Sequence, residues 1–291
     1  MDTMRRYILN KLFMFTACET DEELIDVIYE LLVKEFPNRY NEKVIAPAKD
    51  DLHVISRTSQ DKNAKYVFFA HADRLMFPER RMGYYVGDLE EEYGYPNLSP
   101  TYKSKPDSYY IKGQLDNIIS VDILFYMLYI GYDIDIVFTT KEERLKSQYQ
   151  MLRYMNKYDK NNEYLMISLD IDIAYSHIIE DLWRMIEGSI SVSETSCGKK
   201  LYKPLIDKVR CHAKELNIPV NIFNENIPEQ GGTYLRESPT NDKIIYLGMP
   251  LIEYHSPNET MTWATVENMV KFLESFLLSE GVDINEDTIT G

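Results

Sequence analysis

Histidine and acidic side chains recur where predicted strands end. Three apolar runs typical of buried strands, at 66–70, 134–138 and 164–169, are each followed within a few residues by such side chains. These residues are His71, Asp73, Glu142, Glu143 and Asp170. In an open α/β sheet, ligands bind outside the carboxyl ends of the strands, so the fold itself would gather these groups at one edge. Their chemistry is that of metal ligands and of groups that transfer protons.

Two more candidates, Asp116 and His255, stand before predicted helices. Asp116 precedes an apolar helix, and His255 follows a strand-like stretch and precedes the last helix. Carboxylates gathered at one sheet edge, with only imidazoles beside them, would repel one another unless cations neutralised them. Two divalent ions would do so, and Zn²⁺ suits mixed nitrogen and oxygen ligands. In the pair Glu142–Glu143, one carboxylate can then bind metal while the other stays free to shuttle a proton.

The elements that must position these residues alternate between strands and helices. Helices are predicted at 3–17, 21–36, 118–129, 199–216 and 262–279, and further strands at 52–56, 184–194, 220–223 and 244–247. Thr20 and Glu23 form a capping box at the start of the second helix. The segment 77–110 lacks periodicity and is predicted to be a loop-rich excursion. The alternation predicts an α/β fold with a mainly parallel central sheet and helices on both faces.

Composition excludes several classes of function. The chain has 291 residues, with 32 Lys and Arg against 47 Asp and Glu, and a formal net charge of −15. This charge argues against binding to nucleic acid or to an anionic membrane, since both need clustered basic residues. No apolar run approaches the roughly 18 residues of a membrane-spanning helix. The 3 cysteines are widely spaced and predict no disulfide framework, so we expect a soluble, cytoplasmic protein.

Five short motifs carry a family resemblance. They are HAD at 71–73, LDN at 115–117, KEE at 141–143, LD at 169–170 and YHSP at 254–257. Their order resembles that of the co-catalytic zinc exopeptidases, and a Gly-Gly-Thr loop at 231–233 makes the glutamyl and tetrahedral aminopeptidase branch the nearest match. The resemblance covers about residues 65–280 and implies the zinc-exopeptidase-like, phosphorylase/hydrolase-like fold. It also implies an enzyme that cleaves the N-terminal amino acid from a peptide substrate.

The resemblance implies two metal positions that share one ligand. Asp116 would bridge the two ions. His71 and Asp170 would complete one position, and Glu143 and His255 would complete the other. The implied cofactors are two divalent metal ions, in the first place zinc, with cobalt or manganese as alternatives.

The same resemblance gives two further carboxylates a part in catalysis. Glu142 would be the general base that activates a metal-bridging water as hydroxide and later protonates the leaving amine. Asp73 would orient His71 by accepting its second ring N–H, the usual duty of a carboxylate behind a metal-bound histidine. The loop before the last motif would contact the substrate, through Gly231, Gly232, Thr233 and Tyr234.

The sequence departs from that aminopeptidase branch in three places. The branch inserts a dimerisation domain between the first motif and the bridging aspartate, whereas His71 and Asp116 are only 45 positions apart, below a typical domain of at least ~50 residues. Ile118 and Tyr234 stand where the family has Arg and Asp. We therefore expect one catalytic domain over 1–291, with the loop-rich 77–110 in place of the inserted domain, and a monomer or small homo-oligomer.

Several alternatives stay open at this point. Asp172 would point to the same face as Asp170 if the strand continued. Asp116 would also suit a helix cap, and Glu142–Glu143 a solvated first helical turn. The same metal site would serve a carboxypeptidase or an amide deacylase. The departures from the family also leave room for a non-catalytic, peptide-binding relative.

Overall fold

Strands and helices alternate along the part of the chain that the computed structural model describes, residues 3–45, 52–59, 64–74, 84–88, 109–144, 146–159, 163–174, 179–196, 199–224 and 243–284. The helices are α1 (Thr3–Ala17), α2 (Asp21–Glu35), α3 (Ile118–Tyr129), α4 (Gln148–Tyr158), α5 (Ile179–Ile186), α6 (Lys203–Glu215) and α7 (Trp263–Ser279). The strands are β1 (Tyr40–Ile45), β2 (Leu52–Arg57), β3 (Tyr66–His71), β4 (Tyr84–Asp88), β5 (Tyr109–Gly113), β6 (Asp135–Thr139), β7 (Leu165–Ile173), β8 (Ile190–Ser196), β9 (Lys199–Lys200), β10 (Val220–Asn224), β11 (Ile244–Leu251) and β12 (Glu259–Thr262).

One large sheet contains most of the described strands, in the order β1-β2-β6-β3-β7-β11-β8-β10, with β9 paired to β8. Its centre is parallel, because β6, β3, β7 and β11 run side by side in the same direction. The strands β2 and β8 flank this centre and run antiparallel to it. The carboxyl ends of the four central strands therefore meet at one edge. The predicted α/β class with a mainly parallel central sheet is confirmed.

Aromatic contacts place helices on both faces of this sheet. In β3, Tyr66 packs edge-on against Phe276 of α7. Phe69 points to the opposite face of the same strand and packs edge-on against Tyr154 of α4. Among the described helices, none has the length and apolar composition needed to cross a membrane.

The helix α3 is apolar on nearly every side because it is enclosed. Every residue from Ile118 to Leu128 is buried, and the helix contacts α1, α7, β3 and β7. Its Phe125 stacks on Phe138 of β6, with the ring centroids 5.6 Å apart. Burial of each large apolar side chain contributes roughly 1.5–3 kcal/mol. This packing anchors the loop that carries Asp116, which comes directly before the helix.

A second, smaller sheet of antiparallel strands runs in the order β12-β5-β4. The strand β5 leads into the loop of Asp116, and β12 follows the loop of His255, so this sheet joins two site-bearing segments. The strand β4, at 84–88, lies inside the segment predicted to be loop-rich. The main chain of these residues pairs with β5, so the segment contains a strand here that the sequence pattern does not indicate. Residues 77–83 and 89–108 of the segment lie outside the described residues.

Three predicted boundaries differ from the structure. The strand β7 continues to Ile173, since β11 pairs with it up to that residue, and Asp170 therefore lies within a strand and not after one. The stretch 184–194 is not one strand: α5 runs to Ile186, Gly188 turns the chain at a φ of 69°, and β8 begins at Ile190. The helix α4 begins at Gln148, so Glu142 and Glu143 precede it and do not form its first turn, which was the alternative for this pair.

The predicted cap of α2 is confirmed with one change of partner. The side-chain oxygen of Thr20 accepts a hydrogen bond from the N–H of Glu23 at 3.1 Å. In return, the carboxylate of Glu23 accepts the N–H of Glu19, not that of Thr20, at 2.6 Å. The first contact satisfies a donor that the first turn of a helix leaves without a partner, and the second ties the residue before the cap to that turn.

Candidate active site

The adjacent strands β3 and β7, together with the loop before α3, bring His71 beside two aspartates. His71 is the last residue of β3, Asp170 lies in β7, and Asp116 comes from the loop between β5 and α3. The Nε2 atom of His71 is 3.2 Å from Asp116 Oδ1 and 3.2 Å from Asp170 Oδ1. All three side chains are buried. This half of the cluster is therefore shielded from solvent.

A second histidine meets the other carboxylate oxygen of Asp116. The Nε2 atom of His255, in the loop between β11 and β12, is 3.4 Å from Asp116 Oδ2 and 3.5 Å from Glu143 Oε2. The side chain of His255 is 39% exposed and that of Glu143 is 9% exposed. The cluster thus opens to solvent on the His255 side, and each oxygen of Asp116 faces a different imidazole.

The ligand atoms of these residues lie close enough together to hold metal. Three groups each have their nearest ligand atoms within 4.8 Å of one another: His71, Asp116 and Asp170; Asp116, Glu143 and His255; and His71, Glu142 and Glu143. The Oδ1 atom of Asp116 is buried and accepts no hydrogen bond from the described residues. Imidazole nitrogen combined with carboxylate oxygen is a donor set that zinc binds in proteins. The residues therefore fit a pair of divalent ions that share Asp116.

Asp73 holds the turn that carries the two glutamates. Its carboxylate oxygens accept the main-chain N–H groups of Glu142 and Glu143, each at 3.1 Å. Lys141, just before them, has a φ of 67°, a left-handed conformation that residues other than glycine seldom adopt. The Nδ1 atom of His71 lies 3.0 Å from the main-chain oxygen of Asp73 and 3.5 Å from its carboxylate Oδ1. The nearest acceptor for that ring nitrogen is therefore the main chain of Asp73.

The sequence prediction missed Glu259, a buried acid at the start of β12. Its Oε2 accepts the main-chain N–H of Leu115 at 2.7 Å and that of Asp116 at 3.0 Å. Its Oε1 accepts the N–H of His255 at 3.0 Å. The available signal was its position, four residues after His255 and at the start of the run Glu-Thr-Met-Thr, which forms a strand. A glutamate in a buried strand rarely lacks a specific partner.

The gathering of acids shifts the pKa values of the cluster. Burial, reinforced by neighbouring carboxylates, raises the pKa of Glu142 well above its ordinary value, that of Glu143 to about 7 and that of Glu259 to about 8. Burial opposes the charged form of His71, but the nearby aspartates outweigh it and raise its pKa. Burial likewise opposes ionised Asp116, but its contacts with the two histidines lower its pKa. Metal binding would release protons from such a cluster, because metal ligands must be deprotonated.

Of the two aspartates in β7, Asp170 reaches the cluster. Asp170 contacts His71, whereas Asp172 packs over Gly248 of β11 in space that a side chain at that glycine would fill. The predicted substrate loop lies outside the described residues, and its contact with substrate stays a prediction. Its members are Gly231, Gly232, Thr233 and Tyr234.

Comparisons with known proteins identify similar folds. No protein-family model matches this sequence, and no curated protein matches it. An aminopeptidase from the archaeon Desulfurococcus kamchatkensis has a TM-score of 0.65 over 99% of this chain and 98% of its own, at 11% identity. For the TET1 peptidase of Pyrococcus horikoshii the TM-score is 0.60, over 92% and 98%, at 15% identity. For an M18-family aminopeptidase from Thermotoga maritima it is 0.57, over 94% and 96%, at 12% identity.

These similarities extend over nearly the whole of both chains, although few residues are identical. They concern the architecture, because the fold of a protein does not determine its activity. The resemblance that the motifs carry is confirmed at this level: the chain has the fold of the TET-type and M18-family aminopeptidases.

Proposed function

We propose that this protein is a metallo-aminopeptidase that removes the N-terminal amino acid from peptides with two divalent metal ions. The observation that carries the proposal is the position of Asp116, whose two oxygens face two separate imidazoles at 3.2 Å and 3.4 Å. A carboxylate in this arrangement can bridge two ions roughly 3.5–4 Å apart, the spacing of two-metal hydrolases. The aminopeptidases among the similar folds support the choice of reaction.

Five residues would hold the two ions, with Asp116 shared between them. His71 and Asp170 belong to the buried position, and Glu143 and His255 to the position that opens to solvent. When bound, the ions would polarise the substrate carbonyl and acidify a water for attack. Zinc fits the mixed donors, and cobalt or manganese would bind them as well.

Glu142 is the proposed general base. Its neighbour Glu143 reaches His255, which is why we assign metal binding to Glu143 and leave the Glu142 carboxylate free. Glu142 takes a proton from the attacking water and delivers it to the nitrogen of the leaving peptide. A raised pKa suits a group that gains and loses a proton in each cycle. Asp73 holds the base in place through the Glu142 N–H.

The proposed substrate is a peptide with a free α-amine.

The assembly we propose is smaller than that of one protein with a similar fold. The TET1 peptidase assembles into a tetrahedron or a large octahedral shell. In this chain the interval between His71 and Asp116 is short, and we propose a single catalytic domain that acts as a monomer or small homo-oligomer.

A substrate panel with a matched pair of variants tests the reaction. The zinc-loaded protein should release amino acids from aminoacyl p-nitroanilides and leave their N-acetylated forms intact. Glu142→Gln should keep its metal and lose about 10²–10⁴-fold of the rate, the range typical of general acid–base catalysis. Glu280→Gln is the control, because Glu280 contacts Tyr66 at the opposite end of β3 and should leave the rate unchanged.

Other outcomes would reassign the function. Cleavage of N-acetylated substrates would indicate an amide deacylase, and cleavage from the other peptide end a carboxypeptidase. A metal-loaded protein that is inert across a broad peptide library would indicate a peptide-binding role without catalysis. Loss of metal from Glu142→Gln would make Glu142 a ligand and remove it as the base.

A further inference from the structure

Glu259 connects two loops that are far apart in the sequence. It accepts main-chain N–H groups from the loop before α3, at Leu115 and Asp116, and from the loop after β11, at His255. Glu259 itself is only 3% exposed and belongs to none of the three groups of potential metal ligands among the described residues. Its carboxylate is therefore engaged with the backbone of the site and is not among the potential metal ligands.

The three hydrogen bonds require two acceptor oxygens at this position. Oε2 accepts two N–H groups and Oε1 accepts one, so both oxygens act as acceptors. A glutamine has the same shape but replaces one oxygen by an NH₂ group, which cannot accept a hydrogen bond. It would therefore lose at least one of the three contacts. An aspartate keeps both oxygens but is one methylene shorter, and it would not reach both loops.

The backbone of His255 needs such support. His255 has a φ of 55°, and Glu253, two residues before it, has a φ of 58°. These left-handed conformations are uncommon for residues with a Cβ and persist where the surroundings hold them. The hydrogen bond from the His255 N–H to Glu259 fixes the strained residue itself. The ring of Tyr254, stacked on that of His255 at 3.8 Å, limits the remaining side-chain freedom.

We propose that Glu259 is a positioning residue that sets the distance between Asp116 and His255. This inference rests on the proposed function, in which these two residues share the solvent-facing metal position. Glu259 does for that position what Asp73 does for the two glutamates: it binds main-chain N–H groups and thereby aims side chains that it does not touch. Removal of the carboxylate should let the His255 loop move and weaken the solvent-facing position more than the buried one.

Metal titration of the full chain tests this role. Zn²⁺ is titrated by calorimetry into metal-free wild type, Glu259→Gln, Glu259→Asp and the control Glu280→Gln. Both Glu259 variants should bind one ion about 10- to 100-fold more weakly than wild type, the usual effect of losing a group that orients metal ligands. The other ion should be affected less. Cobalt-loaded Glu259→Gln should also show an altered visible absorption spectrum, because the coordination at His255 changes.

The outcomes separate this inference from the proposed function. A wild-type protein that binds no metal would overturn both. Wild type that binds two ions, with unchanged affinities and cobalt spectrum in both Glu259 variants, would overturn the positioning role alone. Equal weakening at the two positions, together with a lower melting temperature of the metal-free variants, would reduce Glu259 to a structural contact. The aspartate variant keeps the test open if the glutamine variant does not fold.

Discussion

Asp135 and Asp116 are both buried acids at the edges of the main sheet, but their surroundings differ. Asp135 is the first residue of β6, at the edge where the parallel strands begin. Asp116 lies at the edge where they end, next to His71 of β3. We call the residues around Asp135 the amino-end network: Arg57, Thr58, Asp135, Tyr154 and Tyr164. We call the residues around Asp116 the carboxyl-end cluster: His71, Asp73, Asp116, Glu142, Glu143, Asp170, His255 and Glu259.

The amino-end network neutralises its acid within the protein. Asp135 Oδ2 accepts hydrogen bonds from Arg57 Nε at 3.1 Å, from the Tyr154 hydroxyl at 2.9 Å and from the Tyr164 hydroxyl at 2.6 Å. Its Oδ1 accepts the N–H of Thr58 at 3.1 Å. Both Arg57 and Asp135 are buried. Four donors therefore contact this carboxylate, and one of them, Arg57, carries a permanent positive charge.

The carboxyl-end cluster contains several acids and only two imidazoles to pair with them. Within the described residues, the ion-pair partners of Asp116, Asp170 and Glu143 are His71 and His255. A buried carboxylate without a compensating charge is costly, and proteins pair such groups or use them to bind metals. Asp135 therefore supports the fold, whereas the acids of the carboxyl-end cluster fit the proposed role of binding cations from outside the chain.

The largest expected effect is the loss of the arginine in the amino-end network. Arg57→Met keeps much of the side-chain volume but removes the cation that is hydrogen-bonded to buried Asp135, which leaves Arg39 as a remaining positive charge near that acid. We expect the free energy of unfolding to fall by about 3–5 kcal/mol, measured by urea denaturation, with or without metal. Arg210→Met is the control, because Arg210 pairs with Glu194 at the surface and should change stability by at most about 1 kcal/mol. A loss at Arg57 as small as that of the control would contradict the structural role.

The second effect is stabilisation by metal, which the carboxyl-end cluster should show. Zinc at 100 times its dissociation constant should raise the free energy of unfolding by about 2.7 kcal/mol relative to protein in chelator. Asp116→Ala should lose this gain, since both ions need that carboxylate. Arg57→Met should keep it, because the two regions lie at opposite ends of the sheet and should act independently. A metal gain that persists in Asp116→Ala would place the ion elsewhere.

The third effect is that neutralising one acid should change the stability of the metal-free protein in opposite directions in the two regions. Burial among other carboxylates raises the pKa of Glu142, so an acid at this position costs the folded protein stability at neutral pH, and Glu142→Gln removes that cost. We therefore expect it to stabilise the metal-free protein, by the ~0.5–2 kcal/mol typical of relieving strain at a functional site. Asp135→Asn should destabilise it, because the buried ion pair between Arg57 and Asp135 is lost. Thermal melts in chelator measure both, and shifts of the same sign would contradict the comparison.

The smallest effect is the acid sensitivity of a surface ion pair. Burial opposes ionised Glu280, but hydrogen bonds from Lys208, Lys65 and Tyr66 outweigh it and lower its pKa from 4.5 to about 2. A pKa that is lower in the folded state gives stability above about pH 4.5, which is lost as the pH falls toward 2. Glu280→Gln should therefore lose at most about 1 kcal/mol at pH 7, and the difference should vanish only as the pH falls below about 2. A pH-independent difference between the two proteins would disprove this origin.

The convergence of the site's ligands could be predicted because apolar runs mark strands, and the carboxyl ends of parallel strands meet. His71 and Asp170 were found from the ends of predicted strands, Asp116 and His255 from their positions before predicted helices, and the motifs then linked the four. The structure brings them together as expected, although Asp170 lies within its strand. Their roles as metal ligands stay a proposal.

Glu259 and the amino-end network could not be predicted in the same way. The hydrogen bond from Leu115 to Glu259 joins residues 144 positions apart, and no local pattern marks a carboxylate that binds main-chain groups of a distant loop. Arg57 and Asp135 meet only because β2 and β6 are neighbours in the sheet. The strand β4 was missed because it pairs at the edge of the small sheet, inside a segment without periodicity.

The metal content of the protein tests the central claim most directly. Protein purified without chelator, and then dialysed against Zn²⁺, should hold two equivalents of metal by mass spectrometry, and Asp116→Ala should hold none. We expect this stoichiometry because Asp116 presents one oxygen to each of two ligand groups. Fewer than one equivalent in the wild type, not raised by added Zn²⁺, would contradict the account.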